Sequence, residues 1–459
     1  MKTDKKSGVG SRESGVKTSL LLDSRLATPD SRLFESVYEK LRAWCRARGY
    51  AGHDPFDALG SRLFQSTPLR RSRLARLAWT QAFKRSPVNL RKLALVPRGR
   101  NPKGTALFAL AELSRLRAGR GARHEREARA LLDDLLAARV ETASGAAWGY
   151  NFDWQGRAFY APRGTPAVVP TAFAARALAE AVRALDTSDE EDTVSEDVWK
   201  YLTAACDACR FILKDLNRSD ETDEEVCFSY TPLDRTRVFN ASLLAGEALA
   251  SVGAITGPKV WTDYALRAAR YVVRRQRDDG SWAYGADSYQ SWADNFHTAF
   301  VLTSLARILK TLAPKSDGAA VARREGVAVG SAPDARKEIR WAISRGYEFW
   351  RASFFLADGW PKYYHSSAHP ADAHSAGAAI VALVELRDFE PDALDLAARV
   401  ARWAVRELFD RRGFFYYQKR RLYTVRTPYM RWSQAWMMYA LARLLEVQSA
   451  ECRVQSDES

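Results

Sequence analysis

Five times along the chain a glycine- and aromatic-rich turn is followed by a helix of small residues that opens on polar side chains. The turns begin at Trp148, Phe228, Trp282, Trp360 and Phe414, so the successive steps are 80, 54, 78 and 54 residues. Each long step carries a low-complexity insert, acidic at residues 187–196 and rich in Gly and Ala at 317–334, and removing about 25 residues from each restores a period of about 54. A period of that length belongs to stacked or ring-closed helical hairpins, because one hairpin alone cannot bury its apolar face. A weaker sixth copy starts near Leu95, 53 residues before Trp148. Six copies predict an all-α fold, an (α/α)6 toroid of six helical hairpins.

The repeat also settles the domain count. A prior of about 150 residues per domain would divide this length into three. A ring of hairpins cannot be cut without exposing an apolar face at each cut, so residues 31–447 are expected to form one toroid domain, with a disordered polar leader at 1–30 and a polar tail at 448–459. The 47% hydrophobic content suffices for an extensive core. No apolar run reaches the roughly 20 residues of a membrane span, so no integral membrane segment is expected and the protein reads as cytoplasmic. Five cysteines, irregularly spaced, read as reduced thiols, including the C-x-x-C of Cys206 and Cys209 inside a helix. The net charge of +15 is spread over arginines throughout the helices. With no nucleic-acid module present, it reads as a solvated surface, and as complementarity to an acidic substrate in the alternative.

Hydrophobic periodicity separates two kinds of helix. Residues 261–276 place Trp261, Tyr264, Ala265, Ala268, Tyr271 and Val272 on one face with arginines opposite, as in a helix packed on one side only. Residues 338–355 and 392–409 follow the same logic. Segments 241–255, 298–309 and 375–386 are apolar on nearly all sides and read as inner helices. Each repeat is therefore outer helix, aromatic turn, inner helix, which puts every turn at one end of the ring. The polar residues opening the inner helices converge there: Thr171, Asp234, Arg235, Asn240, Asp287, Asp294, Asn295, His297, Asp372, His374, Arg431 and Gln434. Helix N-termini add free N–H groups suited to carboxylate, phosphate or hydroxyl groups, although Asp and Asn at these positions are also ordinary caps and turn formers.

The turns are dense in aromatics, including Trp148, Tyr150, Trp154, Tyr230, Trp282, Tyr284, Trp292, Tyr363 and Tyr417. Rings beside carboxylates suit a sugar cleft, where pyranose C–H faces stack on them. They also suit an isoprenoid cavity, where rings stabilise carbocations, or the packing of turn against turn.

Two motif resemblances support the ring. Gln276-Arg-Asp-Asp-Gly-Ser-Trp282 resembles the repeated Q-x-x-x-G-x-W turn of terpenoid cyclases, and Asp294-Asn-Phe-His-Thr298 resembles a D-x-x-H-T of protein prenyltransferase β-subunits. Both families are α/α toroids, as are six-hairpin glycosidases. The aspartate-rich acid motif of the cyclases and the remaining zinc ligands of the transferases are missing, so the resemblance does not extend to their chemistry. A broader resemblance runs from about Tyr50 to Leu445. It rests on Trp148-Gly-Tyr-Asn-Phe-Asp-Trp-Gln155, Phe228-Ser-Tyr-Thr-Pro-Leu-Asp234, Trp282-Ala-Tyr-Gly285, Trp292-Ala-Asp-Asn-Phe-His297, Pro361-Lys-Tyr-Tyr-His365 and Pro428-Tyr-Met-Arg-Trp-Ser-Gln-Ala-Trp436. These look like an uncharacterised bacterial and archaeal toroid family found among surface-polysaccharide genes and often labelled delta-aminolevulinic acid dehydratase. That label finds no alternating strand and helix pattern here. The resemblance implies polysaccharide biosynthesis, an oligosaccharide or polysaccharide precursor as ligand, and assembly partners.

Glycoside cleavage requires two carboxyls, roughly 5–5.5 Å apart for retention or 6.5–9.5 Å for inversion. Among the turn-side acids the expected pair is Asp294, beside His297 and Trp292, with Asp153, between Phe152 and Trp154. Epimerisation or β-elimination on a uronic acid would use a Tyr or His base and an arginine, a set available in Tyr364, His365, His374, Tyr429 and Arg431. The expected catalytic residues are thus Asp294, Asp153, His297, Tyr364 and His374, and the nine aromatic residues named above are expected to hold the substrate with Asp234, Arg235, Asn240, Asn295, His365, Asp372, Arg431 and Gln434. His365, His369, Asp372 and His374 are irregularly spaced in a loop and read as loop residues, with no metal and no cofactor. The function expected is a hydrolase, lyase or epimerase acting on a glycan. A non-catalytic glycan scaffold and an isoprenoid enzyme are the alternatives.

Overall fold

The computed structural model describes residues 28–156, 159–187, 194–312 and 332–457. Most of the expected leader and most of both low-complexity inserts lie outside these residues. The twelve helices of the ring are numbered in chain order: α1 (Pro29–Arg46), α2 (Pro102–Arg117), α3 (Ala122–Ala137), α4 (Val168–Leu185), α5 (Glu196–Lys214), α6 (Phe239–Thr256), α7 (Lys259–Val273), α8 (Asn295–Thr311), α9 (Ala332–Phe354), α10 (Ala373–Leu386), α11 (Ala393–Leu408) and α12 (Trp436–Asp457). Even-numbered helices form the inner ring, each packed on the next, and α12 packs on α2 to close it. Odd-numbered helices form the outer ring. The fold is the expected all-α toroid.

The pairing within it is shifted by one element. Each outer helix packs chiefly on the inner helix before it, α3 on α2 through to α11 on α10, and α1 crosses to α12. Short loops make those pairs close-packed: α6 ends on Gly257, at φ 82, and Pro258 follows to stop the helix. The aromatic turns are the long connections, stiffened by short antiparallel ribbons such as Arg218–Glu221 with Val226–Phe228. The helix containing the expected polar tail continues to Asp457. Inner helix α6 reaches the length and hydropathy of a membrane span, and 78% of it is buried inside the ring, as a core helix requires.

The repeated turn tryptophan is a wedge between helices. Trp148 donates its indole N–H to Leu135 O at 2.7 Å, and Trp282 donates its own to Val272 O at 3.0 Å, each satisfying a carbonyl near the end of an outer helix. Gln276 adds a bond from Nε2 to Ala342 O of α9 at 3.0 Å. The Trp282 ring lies so close to Gly346 of α9 that a Cβ there would sit 2.3 Å from Cζ3. Gly346→Ala is therefore expected to destabilise the protein by about 1–3 kcal/mol through overpacking, measured by urea unfolding. A loss below about 0.5 kcal/mol would show that the indole can move aside.

Deeper along the inner helices than their first turns, charged side chains form a belt. Arg117 pairs with Glu180 (3.1 Å) and Glu446 (2.7 Å), Arg443 with Glu446 (2.7 Å) and Glu385 (3.1 Å), and Arg307 with Glu385 (2.9 Å) and Glu247 (2.7 Å). All six inner helices contribute. Burial alone would raise the Glu385 carboxyl, but Arg307, Arg443 and Arg176 override it and hold it well below the ordinary 4.5; Glu247, Glu180 and Glu446 are lowered in the same way. A carboxyl lowered in the folded state stabilises above its unfolded pKa and loses that contribution as pH falls through its folded one. Unfolding free energy is therefore expected to decline as pH falls below about 4.5. Urea titrations at a series of pH values check this, and a flat profile down to pH 3 would remove the belt from the account.

Candidate active site

The turn end of the ring encloses a cavity of about 760 Å³, counted to its open mouth. Its wall follows one rule of register. Lys103, Val169, Asn240, Phe296 and His374 are the second residues of inner helices α2, α4, α6, α8 and α10, and all five line it. Arg431, second in the π-helical turn Met430–Ala435 that opens into α12, completes the six. The aromatic turns add Tyr150, Phe152, Trp154, Tyr230, Tyr284 and Tyr363, while Phe56 of the long α1–α2 connection reaches in from above. Among the described residues that line the cavity, none is an aspartate or glutamate.

His297, one residue further along α8, faces this space with its ring fixed from behind. Asp294 caps the helix, accepting the His297 backbone N–H at 3.0 Å through one oxygen and the His297 ring Nδ1 at 2.7 Å through the other. Trp292 donates its indole N–H to the same carboxylate at 3.2 Å. A carboxylate on Nδ1 assigns the proton there and leaves Nε2 as a lone pair. Tyr284 packs on the imidazole at 4.6 Å between ring centroids and stacks on Trp292 at 4.7 Å. Asp294 is 2% exposed and the His297 side chain 22%, so the carboxylate sits behind the ring and the ring reaches the cavity.

His374 approaches from α10. It stacks on Trp432 at 4.1 Å and meets the edges of Phe296 at 4.5 Å and Trp436 at 5.1 Å. Burial first, and then the charges of Lys103 and Arg431, hold its pKa well below the ordinary 6.5, so the imidazole is neutral. Among the described residues neither ring nitrogen has a hydrogen-bond partner, and neither has the buried Oδ1 of Asn240. Unsatisfied polar atoms in a cavity wall mark where a ligand or water must bond. Arg431 is held by a bidentate pair with Asp54 at 2.6 and 2.8 Å and lies under Tyr150 at 5.3 Å. Tyr150 and Tyr230 join through their hydroxyls at 2.9 Å.

The sequence matches no family model and no curated protein. Solved structures do resemble it. A sugar epimerase from a ruminal bacterium superposes with a TM-score of 0.54 at 13% identity, over 76% of this chain and 87% of that one. A cellobiose 2-epimerase from Bacillus thermoamylovorans gives 0.51 at 12% identity over 76% and 88%. An unsaturated glucuronyl hydrolase specific for heparin gives 0.51 at 14% over 78% and 89%. What they share with this chain is the toroid.

The toroid sorts the residues expected from sequence. Tyr150, Trp154, Tyr230, Asn240, Tyr284, His297, Tyr363, His374 and Arg431 meet at the cavity, with Asp294 and Trp292 behind them. Trp148 and Trp282 do not reach it, being buried wedges. Asn295 is turned to Lys362 O at 2.9 Å and Trp350. Gln434 brackets the Phe415 backbone, and Tyr417 is buried against Tyr429. Asp372 caps α10, and Asp234 ties Thr231 and Thr236 into a turn. Arg235, Tyr364 and His365 lie exposed in their loops. The carboxylate pair is not assembled in the cavity: Asp153 lines an adjoining depression that shares Phe152 and Arg431 with the cavity wall, and it is held by the Tyr160 hydroxyl at 2.9 Å and the Arg163 N–H at 2.8 Å. Nor do His365, His369, Asp372 and His374 converge, since His369 packs on Trp360 and His365 on Phe354. Sequence reasoning passed over Phe56 and Lys103. Phe56 belongs to no repeat, whereas Lys103 carried a signal, its position in the sixth copy.

Proposed function

We propose that the protein acts on a glycan bound in the central cavity, and that its chemistry is proton transfer at carbon, as in an epimerase or an eliminating lyase. One observation carries this reading: two histidines, one backed by a buried carboxylate and one neutral, face a cavity whose described wall holds no acid. Hydrolysis by paired carboxyls has no pair to use there. In the proposed step, His297 Nε2 takes the hydrogen from the carbon next to a carbonyl or carboxyl group, and the electron pair moves onto oxygen. Asp294 stabilises the imidazolium that forms. His374 donates an N–H to the oxygen, a task for which a neutral imidazole is suited, and the Arg431 charge favours the same oxyanion. Return of a proton to carbon completes epimerisation; loss of a β-substituent completes elimination.

The surrounding rings offer faces for pyranose C–H groups, and two of the superposed proteins are described as sugar epimerases. A place in cytoplasmic surface-polysaccharide assembly, with assembly partners, belongs to the same proposal and rests on the motif resemblance alone.

The test is incubation with acidic and neutral oligosaccharides in heavy water, followed by mass spectrometry and proton NMR of recovered sugar. Deuterium at a single carbon, or an unsaturated product, is the expected result. Cleavage with no deuterium at carbon would overturn the chemistry, and binding without either would make the protein a scaffold.

A further inference from the structure

Among the described residues that line the cavity, Lys103 is the one whose charge is paired with no carboxylate. It is 3% exposed on the second position of α2, where Asn101 caps the helix and the free N–H groups add positive potential. Its ammonium lies 4.5 Å from the centre of the Phe173 ring, 5.0 Å from Phe300 and 5.3 Å from Trp436. Those rings attract a cation, but they do not replace a counter-ion. Arg431 differs, since Asp54 neutralises it. Burial first, and then the Arg431 charge, push the Lys103 ammonium well below its ordinary 10.5 against the weaker pull of Asp54. His374, with both nitrogens unpartnered, packs on two of the same rings, Phe300 at 5.8 Å and Trp436 at 5.1 Å. One floor thus holds an uncompensated cation beside an unsatisfied hydrogen-bonding ring.

We propose that this floor binds a carboxylate, so that the glycan taken by the cavity carries a uronic acid whose carboxylate pairs with Lys103. The inference rests on the glycan reading above and names its substrate class. A buried cation without a partner is costly, and a ligand that brings the partner recovers that cost on binding. It also fits the chemistry, since a carboxylate held by a cation acidifies the hydrogen on the carbon beside it.

Isothermal titration with oligogalacturonate, oligoglucuronate and alginate fragments, each beside its carboxyl-reduced neutral counterpart, tests this. At least one acidic fragment is expected to bind ten-fold or more tighter than its neutral counterpart. Lys103→Met should erase the preference, while Lys103→Arg, which restores the charge, should keep it. Equal affinity for acidic and neutral fragments, or a preference surviving in Lys103→Met, would overturn the inference and leave the glycan reading standing. If no fragment binds, or geranyl diphosphate binds in their place, both fall.

Discussion

His297→Gln is expected to reduce deuterium incorporation and product formation by roughly 10²- to 10⁴-fold, the range general-base groups contribute, with little change in stability. The amide keeps the side chain polar and close to the imidazole in size, but it offers no lone pair of comparable basicity toward the cavity. Helix α8 should survive, because its cap is the bond from the His297 backbone N–H to Asp294 at 3.0 Å, which does not involve the ring. Asp294→Asn is a sharper companion. It preserves a capping oxygen, yet it removes the charge on Nδ1 that fixes the tautomer and stabilises the imidazolium, so a large loss of rate with near-native unfolding is expected here too. Equal turnover in wild type and His297→Gln would eliminate His297 as the base and move attention to His374.

Glu385→Ala is expected to cost about 3–5 kcal/mol of unfolding free energy, the range for removing one partner of a buried ionic cluster. Glu385 is 6% exposed and accepts from Arg307 at 2.9 Å and Arg443 at 3.1 Å, with Arg176 at 3.8 Å. Truncation leaves guanidinium groups on three inner helices short of a carboxylate, with Arg443 held by Glu446 alone, at 2.7 Å, and Arg307 and Arg176 sharing Glu247. Glu247 is the remaining belt acid near Arg307 and Arg176, at 2.7 and 3.7 Å, and it cannot also serve Arg443. Glu385→Gln, which keeps an acceptor oxygen, should cost less. Urea denaturation at neutral pH reads both. A loss below about 1 kcal/mol for Glu385→Ala would mean that water replaces the carboxylate and that the belt is solvated in practice.

The alternation of one-sided helices such as α7 with all-round apolar helices such as α6, repeated at a countable period, determined the toroid and the end at which its polar residues gather. Both signals are local: each needs only the neighbours within one repeat, and burial on all sides admits few other arrangements for six copies. Part of the candidate site was legible to the same depth. His297 with Asp294 is a three-residue relation on one helix turn, and it could be read directly.

What a period cannot state is radial direction and closure. Trp148 and Tyr150 stand two residues apart in one turn, where a regular strand would put them on one face, yet the first drives into the outer helix and the second into the cavity, because the strand ends at Ala147 and the chain beyond it is an irregular turn. Asp153 looked like an acid partner for Asp294 until neighbouring turns drew it to a different depression. Arg431 and Asp54 are 377 residues apart, and they meet only because α1 packs on α12. Lys103 sat in the weakest copy of the repeat and became visible when the ring set it level with Asn240, Phe296 and His374. The sequence alone thus determined the fold and the end of the ring that holds the cavity. Tertiary closure decided which side chains share it, since rotations from six successive hairpins must add to a full turn before the second residues of the inner helices face one another.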